Sequence, residues 1–94
     1  MTHPVTQRQR IDRWLWHARV VRTRAAAADL AATGYVRVNG QRVEAASRAV
    51  HLGDVVTVSL THGVRVLKVI GFADRRGPQT TAQTLYQALH DKAP

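Results

Sequence analysis

The spacing of the apolar residues changes near Gly34, and this change limits the folds open to the chain. Before Gly34, four apolar residues recur at the spacing of one helical face: Ile11, Trp14, Leu15 and Ala18. After it, valines alternate with polar residues in YVRVNGQRV (35–43), and the central Asn-Gly pair is typical of a type I′ hairpin turn. The sequence therefore predicts helices followed by antiparallel strands in one α+β domain.

The stretch RIDRWLWHARVVRTRAAAADL (10–30) predicts two short helices rather than one long helix. Asp12 is placed to cap the first helix. The β-branched pair Val20-Val21 interrupts the helical pattern, and Thr23 can cap a second helix built mainly from alanine. Gly34 stands where a glycine commonly follows the end of a helix. A corner is therefore expected between the two helices.

The second half of the chain predicts two strands and a final helix. Strands are expected at 55–60 and 64–72, joined by a short turn. Four apolar residues then recur at helical spacing and predict a helix near 79–90: Ala82, Leu85, Tyr86 and Leu89. The predicted organisation is a flexible arm at 1–8, a domain with its β-extension at 9–72, and a loop with the C-terminal helix at 73–94.

The charge of the chain predicts a polyanionic partner. Lysine and arginine total 14 against 6 acidic residues, a formal net charge of +8, and only Lys68 and Lys92 are lysines. The planar guanidinium group binds phosphate with two parallel hydrogen bonds and stacks on bases, which lysine cannot do. RNA or DNA is therefore the first expectation, and an anionic membrane surface is the second.

Several functional classes find no support in the sequence. The chain has no cysteine, which excludes disulfides and thiolate metal sites. Its histidines have no metal-ligand spacing, and no nucleophile, acid–base pair or glycine-rich phosphate loop stands out. No catalytic residue, metal or cofactor is therefore predicted. No apolar run reaches the roughly 20 residues of a membrane-spanning helix, and the N-terminus lacks a secretory signal, so a cytoplasmic protein is expected.

The candidate nucleic-acid site is the basic surface of the helical pair. Arg10, Arg13 and His17 share one side of the first predicted helix. Three more arginines gather at the corner, where the second helix also offers backbone N–H donors: Arg19, Arg22 and Arg24. A solvated charged face is the alternative, but the density of arginine favours phosphate binding. Trp16 lies off the apolar face, and either stacking on an unpaired base or a half-buried rim position would suit it.

The hairpin supplies a second basic group. Arg37 alternates with Val36 and Val38 and is expected to point away from them. Arg42 follows the Asn-Gly turn. Each is an ordinary solvent-facing residue when taken alone. If the hairpin packs back on the helices, the two arginines would extend the same groove.

These motifs together resemble the S4-type RNA-binding domain, which is found in a small-subunit ribosomal protein, tyrosyl-tRNA synthetases and pseudouridine synthases. The matching segments cover about residues 9–60: Arg10-Ile11-Asp12, Arg19 to Arg24, GYVRVNG (34–40), Ser47 and GDVVTV (53–58). The resemblance implies an αL-motif fold, with two N-terminal helices packed on a small, mainly antiparallel sheet and a C-terminal helix added.

Two further segments narrow the resemblance. DRWLWHARVVRTR (12–24) and RRGPQTTAQTLY (75–86) are similar to the bacterial ribosome-associated heat shock protein 15 family. That family implies binding to ribosomal RNA of the large ribosomal subunit, notably of stalled subunits carrying a nascent chain on tRNA, and a relation to ribosome quality control. By position, the resemblance assigns RNA contacts to seven residues: Arg10, Arg19, Arg22, Arg24, Arg37, Asn39 and Arg42.

The chain departs from the family pattern in three places. Ile11 replaces leucine, which conserves the apolar character. Ala46 replaces the proline that commonly precedes the serine, so a looser turn is expected there. Some members also carry a longer basic tail after the final helix.

The expected partners are ribosomal RNA, the large ribosomal subunit and peptidyl-tRNA, with no membrane and with a monomeric chain. Two other functions remain as alternatives: the RNA-binding module of an RNA-modifying system, as in the pseudouridine synthases, and a basic membrane-surface protein. The length of the chain leaves no room for a catalytic domain beside the RNA-binding one. The interrupted helix and the strands argue against a membrane-surface helix.

Overall fold

The computed structural model describes residues 8–92, with side chains to residue 90. The described residues form ten elements in chain order: β1 (Arg8–Arg10), α1 (Ile11–His17), α2 (Arg24–Ala32), β2 (Val36–Val38), β3 (Gln41–Arg42), β4 (Ala49–His51), β5 (Val55–Leu60), β6 (Gly63–Val69), α3 (Gln79–Ala82) and β7 (Tyr86–Lys92). The predicted α+β class is confirmed, as is the succession of two helices and a hairpin.

The strands form two antiparallel sheets. The larger has the order β3-β2-β5-β6-β7, and the smaller joins β1 to β4. Because side chains alternate across a strand, one face of the larger sheet carries buried valines such as Val36, Val38, Val56 and Val58. These valines share one core with the apolar residues of α1 and α2, so the helices cover this face of the sheet. The opposite face carries Arg37, Thr57 and Lys68.

The core fixes the position of α1. Ile11, Trp14, Leu15 and Ala18 are buried, as the helical spacing predicted. The indole Nε1 of Trp14 donates to the carbonyl oxygen of Gly71 at 3.1 Å, so the buried ring leaves no unsatisfied donor. One side of α1 is therefore committed to the core, and its remaining sides are available for other contacts.

The boundaries of α2 follow the predicted signals. The Oγ1 atom of Thr23 accepts a hydrogen bond from the Ala26 N–H at 3.0 Å, so Thr23 is the N-cap. Gly34 follows the helix with φ +93°, and the Tyr35 N–H donates to the Leu30 carbonyl at 3.1 Å, as in a Schellman motif. The Asn39-Gly40 turn also has positive φ at both residues, 51° and 83°, as a type I′ turn requires.

The prediction that Asp12 caps α1 is wrong. The helix begins at Ile11, with Arg10 at the cap position and no side-chain cap hydrogen bond. Asp12 lies one residue inside the helix and is buried, where its Oδ1 accepts from the N–H of Arg13 at 2.7 Å. Its carboxylate is used for side-chain contacts that local sequence signals do not reveal.

The predicted helix at 79–90 is correct at its start and wrong beyond Ala82. Residues 86–92 form β7 instead, which pairs with β6 through six register positions and an irregularity at Val66/Leu67. Helical spacing and strand pairing compete for this segment, and β6 has one edge that needs a partner. Tertiary pairing therefore overrides the local helical pattern.

The predicted arm at 1–8 falls mostly outside the described residues. Arg8, its last residue, lies in β1, and Arg8–Arg10 pairs with Ala49–His51. Strand β5 matches the prediction, and β6 occupies Gly63–Val69 rather than 64–72. Over residues 8–92, no helix has the length and apolar character needed to cross a bilayer.

Candidate nucleic-acid interface

The α1–α2 corner (residues 18–23) joins the two helices by a tight turn. The N–H of Val20 donates to the Leu15 carbonyl at 3.0 Å, and the N–H of Arg19 donates to the Trp16 carbonyl at 3.1 Å. Arg19 has φ +60°, which is uncommon for a residue with a side chain. This conformation ends α1 and leaves the Arg19 side chain exposed.

Asp12 connects the start of α1 to the start of α2. Arg10 donates to both carboxylate oxygens of Asp12, each at 3.0 Å, and the Nε atom of Arg24 lies 3.8 Å from Asp12 Oδ2. The Asp12 side chain is only 3% exposed, whereas those of Arg10 and Arg24 are 49% and 44% exposed. The buried carboxylate therefore orients two arginines whose remaining N–H groups face solvent.

Arg22 adds a third charge close to this pair. It is exposed and stands two residues before Arg24, next to the N-cap Thr23 of α2. The helix dipole favours negative charge at this end. Arg10 and Arg24 therefore meet at Asp12 beside the N-terminus of α2, and Arg22 stands on the chain segment that leads into that terminus.

Arg13 and Arg19 contact the loop at residues 73–78, here named the 73–78 loop. Arg13 Nη2 donates to the Asp74 carbonyl at 3.1 Å, and Arg19 Nε donates to the Gly77 carbonyl at 2.8 Å. Each guanidinium group still has free donors, because one contact uses only one of its five N–H groups. The loop thus fixes the two side chains without neutralising them.

Arg76 is a residue of this surface that the sequence analysis did not assign to the site. Its Nε donates to the Trp16 carbonyl at 3.0 Å, and its Nη2 donates to the Val21 carbonyl at 3.3 Å. Its guanidinium carbon lies 5.8 Å from the centre of the Trp16 ring. The sequence did offer a clue, because the basic pair in RRGP (75–78) belongs to a segment that resembles the family. No RNA or protein contact was predicted for that pair.

Trp16 takes the half-buried rim position, the second of the two alternatives that the sequence left open. The Arg76 guanidinium lies against its ring, and the His17 ring lies beside it with centroids 5.5 Å apart. Part of the indole surface is therefore occupied by the protein itself. Contact between the remainder of the ring and RNA stays a prediction.

His17 does not fit its predicted place among the RNA contacts. It is 2% exposed, and its Nδ1 lies 3.0 Å from the Ala73 carbonyl oxygen. A carbonyl can only accept, so Nδ1 carries the proton and donates. Burial lowers the pKa of His17, and the positive charges of Arg13 and Arg24 lower it further, against the opposing effects of the Ala73 hydrogen bond and of Asp74. His17 holds α1 to the 73–78 loop rather than facing a ligand.

The hairpin places two arginines side by side on the outer face of the larger sheet. Arg37 on β2 is directly opposite Arg42 on β3, and both are exposed. Arg37 Nη1 lies 3.4 Å from the Gly40 carbonyl. The Arg42 guanidinium packs against Gly34, where an added Cβ would come within 2.7 Å of Arg42 Nη2. Like charges directly opposite each other destabilise a sheet, so this pair favours an anionic ligand.

Asn39 has a structural position within the hairpin. Its Nδ2 donates to Asp54 Oδ1 at 3.0 Å, and its Oδ1 accepts from the Val55 N–H at 2.9 Å. With φ +51°, it also supplies the positive backbone angle of the turn. These contacts join the hairpin to β5, and an RNA contact by Asn39 stays a prediction.

The seven arginines among the predicted site residues thus form three groups. Arg10, Arg22 and Arg24 meet at the start of α2, Arg13 and Arg19 meet at the 73–78 loop, and Arg37 and Arg42 meet on the sheet. Each group presents guanidinium donors suited to phosphate oxygens. Within the described part of the chain, no cluster of three or more histidine and acidic residues could hold a metal ion.

A family model and several known proteins match this chain. Residues 9–56 match the S4 domain. Heat shock protein 15 of Escherichia coli strain K12 is 36% identical over 78 residues, covering 83% of this chain and 58% of that protein. The homologue from Haemophilus influenzae is 35% identical over 78 residues, covering 83% and 59%. The chain therefore spans about six tenths of the length of these curated relatives.

A solved structure matches most of the fold. Heat shock protein 15 of Vibrio cholerae, whose structure is trimeric, aligns with a TM-score of 0.79 at 33% sequence identity. The alignment covers 86% of this chain and 81% of the other. The match extends well beyond the S4 domain and includes more of the chain than the two helices and the hairpin.

Proposed function

This chain belongs to the S4 domain family, among the relatives of heat shock protein 15, and from that premise we propose that it binds ribosomal RNA of the large ribosomal subunit. The family and the names of the relatives support an RNA-binding heat shock protein rather than an enzyme. The proposed target is a large subunit that has stalled with a nascent chain on tRNA, in the cytoplasm.

The observation that carries the proposal is the arrangement of Arg10, Arg22 and Arg24. Asp12 uses part of the hydrogen-bonding capacity of Arg10 and lies near Arg24. The side chains of Arg10 and Arg24 both stay about half exposed. Arg22, which is exposed, and the N-terminus of α2 add positive charge beside this pair, in which Arg10 is already oriented before a ligand arrives. Oriented donors lose little conformational freedom on binding, which strengthens the contact with phosphate.

The mode of recognition follows from these groups. Guanidinium donors contact phosphate oxygens, which every nucleotide presents, so the corner selects RNA by the positions of its phosphates. Folded RNA differs from a simple duplex in those positions, and recognition of this kind depends on shape more than on sequence. Ribosomal RNA is a folded RNA of this type.

The experiment measures binding of purified large subunits by Arg22→Ala, with Lys68→Ala as the matched control. Both changes remove one exposed positive charge, but Lys68 lies on β6, away from the corner and two strands away from Arg37 on the outer sheet face. We expect Arg22→Ala to weaken binding about tenfold, as for loss of one charge-assisted contact, and Lys68→Ala to leave it within about twofold. Equal losses in the two variants would contradict a site at the corner.

The preference for stalled subunits needs its own comparison. We expect tighter binding to large subunits that carry peptidyl-tRNA than to empty ones, measured by co-sedimentation through a density gradient. Equal binding to both would limit the proposal to ribosomal RNA. Binding to anionic vesicles that RNA does not compete away would favour the membrane alternative, and uridine isomerisation by the protein alone would favour the enzymatic one.

The expected monomer also remains a prediction. Light scattering of the free chain gives its mass directly, and a threefold mass would correspond to the assembly of the Vibrio cholerae relative. The same measurement in the presence of RNA would show whether the ligand changes the assembly.

A further inference from the structure

The outer face of the larger sheet carries an exposed aromatic ring beside its arginines. Tyr35 is 53% exposed and immediately precedes β2. Since side chains alternate along an extended chain, Tyr35 and Arg37 point to the same face, about 7 Å apart. The Arg42 guanidinium packs against Gly34, the residue next to Tyr35. The Tyr35 ring and the Arg42 guanidinium are therefore held at neighbouring positions of the chain, and Arg37 follows on the same face of β2, with its guanidinium reaching toward Gly40.

A cleft opens next to the Tyr35 ring. It has a volume of about 360 Å³ and is lined by five residues: Leu30, Tyr35, Ser59, Leu60 and Thr61. The lining combines apolar side chains with three hydroxyl groups. The volume lies within the range of small-ligand pockets, so a flat heterocycle can enter, stack on the ring and find hydrogen-bond partners at its edge.

The charges beside the cleft select an anionic occupant. Arg37 and Arg42 stand opposite each other in the hairpin, and among the described residues neither makes an ion pair. An uncharged ligand would leave this repulsion in place. A nucleotide within an RNA strand offers a flat base for the cleft and is flanked by two phosphates that the arginines can contact, which fits both features.

We propose that Tyr35, the cleft beside it and the Arg37–Arg42 pair bind an unpaired nucleotide of RNA. The Tyr35 ring stacks on the base, the hydroxyl groups of Ser59 and Thr61 hydrogen-bond to its edge, and the two arginines contact the flanking phosphates. Only an unpaired base exposes its face and edge in this way. The inference rests on the proposed RNA-binding function and adds a second, chemically distinct surface to the phosphate-binding corner.

The test uses fluorescence anisotropy with two RNAs, a hairpin with an unpaired loop and a fully paired duplex of the same length. We expect Tyr35→Ala to weaken binding of the loop RNA about tenfold, the usual effect of losing one stacked base. Duplex binding should stay within twofold. Tyr35→Phe should bind the loop RNA like the unaltered protein, because the stacking ring remains.

Leu52→Ala is the matched control. Leu52 is 51% exposed, much like Tyr35, but lies between β4 and β5, outside the cleft. This change should alter neither affinity, and circular dichroism should show all variants folded. Arg37→Ala and Arg42→Ala should each reduce the slope of log affinity against log salt by about one, whereas Tyr35→Ala should leave that slope unchanged.

Three results would overturn the inference. The first is that Tyr35→Ala binds the loop RNA as tightly as the unaltered protein. The second is that Tyr35→Ala binds the loop RNA and the duplex with equally weakened affinity. The third is that Tyr35→Ala changes the mass measured by light scattering but not the RNA affinity. The outcome is separable from that of the proposed function. If the chain binds loop RNA through Tyr35 but does not bind large subunits, this inference is supported and the proposed subunit binding is contradicted. If it binds large subunits but Tyr35→Ala leaves loop-RNA binding unchanged, the proposed function is supported and this inference is contradicted.

Discussion

Asp12 shows how a single buried acid can organise a basic surface. Its carboxylate accepts from Arg10 and from the N–H of Arg13, and it lies 3.8 Å from Arg24. A buried carboxylate requires such partners, since an unpaired charge in the interior is costly. The same carboxylate orients Arg10 and lies beside Arg24, so we expect both stability and RNA binding to depend on this one residue.

We predict that Asp12→Asn lowers both stability and RNA affinity. The amide keeps the size of the side chain but loses the charge and one acceptor oxygen, which should cost about 1–3 kcal/mol in the free energy of unfolding. Urea denaturation measures this cost. Arg24→Ala is the comparison, because its contact with Asp12 is long and half exposed, so it should weaken RNA binding with much less effect on unfolding. Equal stability losses in the two variants would contradict the separate roles.

The pH dependence of stability should report on His17. Burial lowers the pKa of His17 below its usual range, so the folded chain disfavours the protonated ring. Below the unfolded pKa of about 6.5, the unfolded chain binds more protons, and stability therefore falls as the pH drops. We predict that the free energy of unfolding decreases more between about pH 7.5 and 5.5 for the unaltered chain than for His17→Gln. Parallel curves would contradict this prediction.

At the residue scale, the sequence predicted charges better than contacts. The alternation of valines with Arg37 predicted that this arginine would point away from the core, and Arg37 is exposed in the structure. The burial of His17 does not follow, because it depends on Ala73, 56 residues later in the chain. Arg76 was missed for the same reason, since its partners Trp16 and Val21 lie more than 50 residues earlier.

The 73–78 loop acts as an element in its own right, although it has no regular secondary structure. Its backbone carbonyls accept from Gln9, Arg13, His17 and Arg19, and its Arg76 donates to the carbonyls of Trp16 in α1 and Val21 in the corner. Hydrogen bonds in both directions tie the loop to α1. The geometry of the basic surface therefore depends on a segment outside the helices that carry it.

We predict that Arg76→Ala weakens RNA binding and lowers stability, whereas Arg75→Ala lowers stability very little. Arg76 makes two hydrogen bonds to backbone carbonyls and packs on Trp16, while Arg75 is exposed and makes no hydrogen bond among the described residues. Loss of the Arg76 contacts should cost about 1–3 kcal/mol. Thermal unfolding and loop-RNA affinity measure the two effects. If the two variants unfold at the same temperature, Arg76 does not hold the corner.

Elements specified by local signals were predicted, and elements specified by distant partners were not. The cap at Thr23, the glycine at 34 and the Asn-Gly turn act within a few residues, so the ends of α2 and the turn of the hairpin were predicted. Strands β1 and β4 are three residues each and exist because they pair with each other. Strand β7 follows a helical apolar pattern but completes the sheet beside β6.

Across the whole molecule, charge and fold divide the binding surface in two. The corner and the adjoining helix ends present the arginines that we propose to bind phosphate, and the outer sheet face presents the Arg37–Arg42 pair with Tyr35. With a net charge of +8, both surfaces act within one positive field that attracts polyanions.

We predict a steep salt dependence of RNA binding. If roughly five phosphates are neutralised, log affinity should fall with a slope of about −4 against log salt concentration. Titrations of large subunits at several potassium chloride concentrations measure the slope. A nearly flat response would mean that the arginines do not contact phosphate.

The ties between α1 and the 73–78 loop also bear on the order in which the molecule forms. Five side chains near the N-terminus, Gln9, Arg13, Trp14, His17 and Arg19, reach carbonyls that lie 56 to 64 residues later. Contacts between such distant residues form slowly, and during synthesis they cannot form until residue 77 has left the ribosome. The arginines of the corner are made before the 73–78 loop, yet the surface that they build is complete only after that loop has emerged and packed against them.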